Sequence, residues 1–253
     1  MTRQSAVSHN DPPVWSPLLI PVGFPYASDG NAMPQVGISM SVPHEPLKRE
    51  YLPGDTIALA KFLIGKLIVR TFPGTFATGR IVETEAYLSS DAASHGFRGP
   101  TPRNKVMFGD RGYAYVYLAY GVSFMLNVSS GEIGVGEGVL IRAAEPVSGL
   151  DEMKRNRGDV PVRDLMRGPG RLAKALDIDR SLDGADLCQR GLLWLASDGF
   201  EEGETSFSTR IGVTRDAHLP LRFFLKGSKF VSGPTSLNRG LSEAPERPDT
   251  LSG

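Results

Sequence analysis

The sequence predicts an α+β fold. Eight short strand-like segments and three helical segments follow one another without regular alternation, which is typical of α+β domains rather than of doubly wound parallel sheets. No Gly-x-Gly-x-x-Gly or Walker A motif opens a helix after one of the strand-like segments, so a dinucleotide or P-loop fold is not indicated. The chain also lacks an internal repeat. We therefore expect one domain with an irregular order of strands and helices.

The first helix is predicted within PGDTIALAKFLIG, residues 53–65. Asp55 can accept hydrogen bonds from the free N–H groups of the first turn, and Gly65 permits the left-handed conformation that ends many helices. Leu59, Phe62 and Leu63 form an apolar stripe at helical spacing. Two further helices are predicted at GLDEMKRN and PGRLAKALDI, residues 149–156 and 169–178.

The strands are predicted where β-branched, aromatic and other apolar residues form short runs between turn residues. These segments are 66–72, 79–88, 113–120, 123–128, 138–145, 192–197, 208–214 and 221–226. The segments at 113–120 and 123–128 are close enough to form a hairpin with its tip at residues 120–123.

Both ends of the chain have a different composition. Residues 1–47 are rich in Pro, Ser, Gly and Asn without a sustained period, and we predict a disordered N-terminal extension there. Residues 236–253 resemble them and are predicted to form a flexible C-terminal tail. The folded domain is therefore expected at 48–235, a length that suits one hydrophobic core.

Composition excludes several classes of function. Cys188 is the only cysteine, and the four histidines lack metal-ligand spacing, so no disulfide and no metal site are expected. The longest apolar run, around FLIGKLIV, is broken by Lys66 and is shorter than the roughly 20 residues that span a bilayer. Because no secretory signal is evident either, we expect a cytoplasmic protein without a membrane partner.

The formal net charge of zero conceals an uneven distribution. Residues 48–174 contain 18 basic and 13 acidic residues, whereas both flanking segments are mildly acidic. A basic centre permits a polyanionic partner without requiring one.

Two glutamates occupy one strand in GRIVETEAYL, residues 79–88. Side chains alternate along a strand, so Glu83, Glu85 and Tyr87 point to the same face. The pattern fits either a solvated strand face or a pair of catalytic carboxylates. Arg142, the single charge in the apolar strand GVLIRAAE, needs a carboxylate partner if it is buried. Glu83, Glu85 and Glu145 are the candidates.

Tyrosines are concentrated in YAYVYLAYG, residues 113–121. Tyr113, Tyr115 and Tyr117 share one strand face, which suits either base stacking or a cross-strand aromatic ladder. Tyr120 falls at the predicted hairpin tip, where it can pack locally or act as a wedge in stacked bases. The adjoining loop, residues 89–112, is long, basic and rich in Gly and Pro, and such loops are often functional.

Together these segments closely resemble the 3-methyladenine (alkyladenine) DNA glycosylase family over about residues 52–233. The matching stretches are GRIVETEAYL, AASH at 92–95, TPRNKVMF, YVYLAYG, LNV, VLIRAAEP and GPGRLAKAL. The resemblance implies a single compact domain with a mostly antiparallel, curved sheet, flanking helices and a protruding β-hairpin. It also implies a monofunctional enzyme that flips alkylated or otherwise damaged purines out of duplex DNA. Such an enzyme hydrolyses the N-glycosidic bond as a monomer, without a cofactor, a metal or an obligate protein partner.

The same resemblance assigns roles to individual residues. Glu85 corresponds to the glutamate that activates water, and Arg142 to the arginine that helps to position that water. The base-binding positions are Tyr87, His95, Tyr117 and Asn127, of which Asn127 is implicated in rejecting the exocyclic amine of guanine. Tyr120 corresponds to the intercalating tyrosine, and Arg103, Asn104 and Lys105 are candidates for contacts with the DNA backbone. Glu83 is left to pair with a nearby Arg or Lys.

Two other functions are compatible with parts of the pattern. A non-catalytic nucleic-acid-binding domain, related to the tRNA-binding domain of methionyl-tRNA formyltransferase, needs basic and aromatic residues but no Glu–Arg pair. A carbohydrate hydrolase using Glu83 and Glu85 is disfavoured, because two carboxylates on one strand face do not flank a glycosidic bond.

Overall fold

The computed structural model describes residues 44–201 and 203–241. The predicted extension lies outside these residues except for its last four positions, and the predicted tail lies outside except for residues 236–241. The Leu47 N–H donates to the Leu195 carbonyl at 2.8 Å, and the Leu241 N–H donates to the Phe207 carbonyl at 2.9 Å. The domain boundaries themselves stay predictions.

The described residues form three α-helices and eight strands, which confirms the predicted α+β class. The helices are α1 (Thr56–Phe62), α2 (Leu150–Arg157) and α3 (Pro169–Ala175). The strands are β1 (Leu67–Phe72), β2 (Thr75–Tyr87), β3 (Ala114–Ala119), β4 (Ser123–Ser129), β5 (Gly138–Ser148), β6 (Leu193–Ala196), β7 (Thr205–Ser208) and β8 (Arg222–Leu225).

All the strands join one sheet, in the order β3-β4-β5-β2-β1-β6, and β8 pairs with both β2 and β7. Every pairing is antiparallel. The long strand β2 is central: one edge pairs with β5, while the other pairs first with β1 and then with β8. As a result both faces and both edges of β2 are covered around residues 83–85.

Helix α1 begins as its sequence predicts. Asp55 accepts a hydrogen bond from the Ala58 N–H at 2.8 Å, and Leu59 and Leu63 are fully buried in the main core. Gly65 adopts a φ of 82° just after the helix. None of the helices in residues 44–201 and 203–241 is long and apolar enough to cross a membrane.

One predicted strand is wrong. The segment 208–214 is not a strand: β7 ends at Ser208, and the following residues form a loop. The reason is that side chains take its backbone hydrogen bonds. The Ile211 N–H donates to a Glu85 oxygen at 2.8 Å, and the Ile211 carbonyl accepts from Arg142 at 3.4 Å.

Strands β3 and β4 pair antiparallel from Ala114↔Val128 to Ala119↔Ser123. At the turn, Tyr120 has a φ of 51° and Gly121 a φ of 70°. A positive φ is uncommon for a tyrosine and costs about 1–2 kcal/mol. The fold therefore places a large aromatic side chain where glycine or asparagine is conformationally preferred.

Candidate active site

A cavity of about 790 Å³ opens between β2, the β3–β4 hairpin, the loop after β2 and the loop after β7. Aromatic and basic side chains from all four segments line it. Strand β5 adds Leu140 and Arg142 to the lining. The lining contains seven of the ten residues assigned from the sequence: Tyr87, His95, Arg103, Tyr117, Tyr120, Asn127 and Arg142. Chain segments far apart in the sequence thus converge on one concave surface.

Glu85 lies directly behind this surface. Its side chain has no exposed area, and it accepts hydrogen bonds from Tyr87 Oη at 2.8 Å, Arg142 Nη1 at 3.2 Å and the Ile211 N–H at 2.8 Å. All three donor residues line the cavity. An ionised carboxylate has about four acceptor positions, so the three donors hold Glu85 in place and leave about one acceptor position unused.

Glu83 is equally buried, but it lies farther from the cavity along the same face of β2 and shares only Arg142 with the cavity lining. It accepts from Arg222 Nε at 2.6 Å, Arg142 Nε at 3.2 Å and the Ser232 N–H at 2.7 Å. Burial alone would raise the pKa of Glu83, but the guanidinium groups of Arg222 and Arg142 outweigh it and lower that pKa. Arg222 and Ser232 do not line the cavity, so we assign Glu83 a structural role.

Arg142 joins the two carboxylates. Of the three candidate partners, it contacts Glu83 and Glu85. Burial would lower the pKa of Arg142, but the adjacent Glu85 and Glu83 carboxylates reverse that effect and raise it. The side chain is therefore a fixed cation whose position is set by both glutamates.

Aromatic rings form the wall of the cavity. The His95 and Tyr117 ring centroids are 4.4 Å apart, and Tyr115 stacks on Tyr117 with centroids 5.3 Å apart. Burial raises the pKa of Tyr117 to about 12, with smaller contributions from Tyr115 and Glu85. Burial followed by the Glu85 charge raises the pKa of Tyr87 well above its ordinary value. Both phenols therefore stay protonated at neutral pH.

His95 is held by its neighbour in the wall. Its Nδ1 lies 2.9 Å from Tyr115 Oη. Burial, and then the Arg103 charge, lower the pKa of His95 below its ordinary value of 6.5. At neutral pH the cavity therefore contains an uncharged imidazole, which does not repel a cationic base.

We predict that His95 titrates below pH 6.5, and that binding of a cationic ligand in the cavity weakens as the pH falls through that titration. Because the unfolded chain takes up this proton first, His95 should also lower the free energy of unfolding as the pH falls below 6.5. NMR titration of the histidine ring protons, assigned with a His95→Gln variant, measures the midpoint. A midpoint at or above 6.5 would contradict the prediction.

Asn127 lies on β4 opposite Leu140 of β5 and Tyr115 of β3. It is buried, and its Nδ2 donates to the Tyr115 carbonyl at 3.2 Å. This bond orients the amide in the cavity wall, where it can present polar atoms to the edge of a bound base.

The three residues predicted to bind the DNA backbone differ in their exposure. Arg103 is exposed, lies 5.3 Å from the Tyr117 ring centroid and lines the cavity, and Lys105 is exposed outside it. Asn104 is buried instead. It accepts from the Thr101 N–H at 2.6 Å and donates to the carbonyls of His95 and Gly99. Asn104 therefore shapes the loop that carries His95 and has no exposed amide to offer to a phosphate.

Tyr120 stands at the rim. Its residue is 93% exposed, and Leu118 and Val122 beside it are also exposed. A strained, solvent-exposed aromatic has no evident role within its own domain.

The sequence analysis missed three residues that shape the site. Arg210 lies behind Tyr87, Ile211 bonds to Glu85, and Arg222 bonds to Glu83. Arg222 carries the same signal that identified Arg142, a lone arginine within the apolar run LPLRFFL at 219–225, whereas Arg210 in STRIGVT carries no such signal. Within the described ranges, no group of three or more His, Cys, Asp or Glu residues is arranged to hold a metal ion.

An antiparallel α+β domain with an aromatic cavity, a buried Glu–Arg pair beside it and an exposed aromatic at its rim defines a hydrolase that acts on nucleic-acid bases. The comparisons specify which one. The family model for methylpurine-DNA glycosylase matches residues 50–229, and the chain belongs to that family. The protein is accordingly a DNA glycosylase, a hydrolase of N-glycosyl bonds, as the resemblance predicted.

Relatives from distant prokaryotes agree, and each carries the name "Putative 3-methyladenine DNA glycosylase". The protein from Mesorhizobium japonicum is 62% identical over 200 residues, covering 79% of this chain and 96% of the relative. That from Paraburkholderia phytofirmans is 50% identical, covering 78% and 92%. That from Carboxydothermus hydrogenoformans is 44% identical, covering 74% and 98%.

Proposed function

We propose that this glycosylase removes alkylated or otherwise damaged purines from duplex DNA and thereby starts base excision repair. The damaged nucleotide turns out of the duplex into the cavity, and a water molecule activated by Glu85 hydrolyses the N-glycosidic bond. The observation that carries this proposal is the position of Glu85: a buried carboxylate whose three hydrogen-bond donors, Tyr87, Arg142 and Ile211, all line the cavity.

The chemistry needs little more than these residues. Alkylation at N3 or N7 makes the purine cationic and weakens its bond to C1′ of the sugar. The water oxygen forms a bond to C1′, its proton passes to Glu85, and the electrons of the breaking bond neutralise a departing cationic base. A neutral base such as hypoxanthine keeps those electrons and takes up a proton as it leaves. A carboxylate beside the sugar also stabilises an oxocarbenium-like transition state. Arg142 keeps Glu85 oriented while its own charge is balanced by Glu83.

Base recognition is assigned to the wall of the cavity. Tyr87 and Tyr117 supply aromatic faces, which attract an electron-poor cationic ring. His95 and Asn127 supply polar contacts at its edge. Extrusion costs a few kcal/mol and costs less for a damaged pair, which favours lesions over normal bases.

The direct test is incubation of the protein with duplex DNA that contains one defined lesion, followed by alkaline cleavage at any abasic site. Strand cleavage at the lesion, absent from an undamaged duplex, supports the proposal. Binding to lesion DNA without base release would instead favour the non-catalytic binding domain. Parallel duplexes with 3-methyladenine, 7-methylguanine, hypoxanthine and ethenoadenine rank the lesions.

Tyr120 is proposed as the wedge that fills the gap left by the extruded nucleotide. Since base–aromatic stacking is worth about 1–3 kcal/mol, Tyr120→Ala should lose roughly 5- to 150-fold in productive binding to duplex DNA. On single-stranded DNA, where no gap has to be filled, the loss should be small. Single-turnover excision on matched duplex and single-stranded substrates measures both.

Two variants serve as controls for this prediction. Tyr117→Ala removes part of the pocket wall and should impair both substrates alike. Tyr51→Ala removes another exposed tyrosine, 59% exposed and outside the cavity lining, and should impair neither. If Tyr120→Ala loses the same activity on both substrates, Tyr120 is not a wedge and contributes only to packing.

From the family resemblance we also propose that the protein acts as a monomer and needs no cofactor or obligate protein partner. We propose a cytoplasmic location, with association to the nucleoid if the protein is bacterial. Light scattering of the protein alone and bound to lesion DNA tests the oligomeric state.

A further inference from the structure

A second ion pair lies behind the aromatic wall of the cavity. Asp91 and Arg210 are 2% and 4% exposed. Arg210 donates to both carboxylate oxygens of Asp91, with Nη2 3.0 Å from Oδ1, and to the carbonyls of Ala86 and Asp216 at 3.2 and 3.3 Å. The guanidinium carbon of Arg210 lies 4.7 Å from the centroid of the Tyr87 ring. The geometry is that of a cation stacked on an aromatic face.

This pair supports the structure and also places a charge beside the cavity wall. The pair does tie β2 to the loop after β7, and that loop supplies Ile211 to Glu85. However, it also puts a full positive charge against Tyr87, the ring proposed to stack on the damaged base. Tyr87 lines the cavity and Arg210 does not, so the charge acts on the cavity through the ring.

The effect of that charge depends on the lesion. Purines alkylated at N3 or N7 are cations, whereas hypoxanthine and ethenoadenine are neutral. A base in van der Waals contact with the other face of Tyr87 lies about 8 Å from the Arg210 guanidinium, since such contacts add about 3.5 Å. At that distance and an effective dielectric constant of about 20, an unbalanced charge weakens binding of a cationic base roughly 30-fold and leaves a neutral base almost unaffected.

We propose that Asp91, acting through Arg210 and Tyr87, sets the preference of the cavity for cationic over neutral damaged purines. The Asp91 carboxylate balances the Arg210 charge, so that the guanidinium can support the Tyr87 ring without repelling a cationic base. Asp91 and Arg210 are positioning residues, because neither lines the cavity. This inference rests on the proposed function.

The test is a ratio of rates. Single-turnover excision is measured on two duplexes that differ only in the lesion, 7-methylguanine or hypoxanthine, with one preparation of each variant. Asp91→Asn should lower the ratio of the 7-methylguanine rate to the hypoxanthine rate by about 10- to 30-fold. The ratio does not depend on the folded fraction, so a purely structural loss would lower both rates and leave the ratio unchanged.

Three variants complete the design. Asp91→Glu keeps the charge and should keep the ratio. Asp91→Asn combined with Arg210→Met removes both charges and should restore the ratio. Asp91→Ser replaces Asp91→Asn if the latter does not fold. Where one lesion class is bound but not excised, the ratio is taken from dissociation constants of the two duplexes.

The chain contains a matched control. Asp198 accepts two hydrogen bonds from Arg80, at 3.0 and 2.6 Å, and the Arg80 guanidinium carbon lies 4.0 Å from the Phe200 ring centroid. The three residues do not line the cavity. Asp198→Asn should therefore leave the ratio unchanged.

The outcomes separate the two hypotheses. An unchanged ratio in Asp91→Asn, or the same fall in Asp198→Asn, overturns the inference while excision by the wild-type protein preserves the proposed function. If the wild-type protein releases no damaged base at all, the proposed function fails and the inference fails with it.

Discussion

Replacing Glu85 by glutamine is expected to remove most base release while leaving lesion binding nearly intact. The amide can still accept the hydrogen bond from the Ile211 N–H and can hold a water molecule, but it cannot take the proton of that water. General-base catalysis typically contributes about 10²–10⁴-fold, and Glu85→Gln should lose a factor in that range. Single-turnover excision of a defined lesion measures the rate, and equilibrium binding to the same duplex measures the affinity.

The neighbouring carboxylate supplies the control for this prediction. Glu83→Gln removes the other buried carboxylate on the same face of β2. It leaves the hydrogen bonds from Tyr87 and Ile211 to Glu85 in place. Its excision rate per folded molecule should fall much less, because Arg142 keeps its bond to Glu85. If Glu83→Gln is inactive and Glu85→Gln is active, the roles of the two glutamates are reversed.

Local sequence patterns predicted the fold well where the determinants are local. Asp55 caps α1, and lone Arg142 finds carboxylate partners, as expected from its burial in an apolar strand. The face shared by Glu83, Glu85 and Tyr87 was also predicted, but its burial was not. Nothing within residues 79–88 reveals that β8 covers one edge of β2 and β5 the other.

Side-chain contacts explain both the wrong strand at 208–214 and the burial of Asn104. The sequence around Ile211 predicts a strand, but the Ile211 N–H and carbonyl form hydrogen bonds with the side chains of Glu85 and Arg142. The contact of Asn104 with the DNA backbone stays a prediction; in the structure the Asn104 amide bonds to three backbone groups of its own loop. In each case a long-range or loop-internal side-chain contact decides the outcome, and such contacts leave no periodic trace in the sequence.

The largest effect on stability is expected at Glu83. It is fully buried between Arg142 and Arg222, and Arg222 is itself fully buried. Removing one member of a buried ion pair leaves an unbalanced charge and costs about 3–5 kcal/mol. Glu83→Gln should therefore lower the free energy of unfolding by about that amount, as measured by urea denaturation. Glu85→Gln should cost less, since Arg142 keeps Glu83 as a partner.

Two further measurements assign that loss to the ion pair. In a double-mutant cycle with Arg222→Met, the double variant should lose less stability than the sum of the single losses, because the unbalanced cation has been removed.

The pH dependence of stability is the second measurement. The pKa of Glu83 is lowered in the folded protein, so its contribution is present above the unfolded value of 4.5 and is lost as the pH falls through the folded pKa. The Glu83→Gln variant should therefore lose less stability than the wild-type protein between roughly pH 6 and pH 3, the span over which a lowered carboxylate pKa acts. If the losses in the double-mutant cycle are additive and the two pH curves are parallel, Glu83 is an ordinary buried side chain.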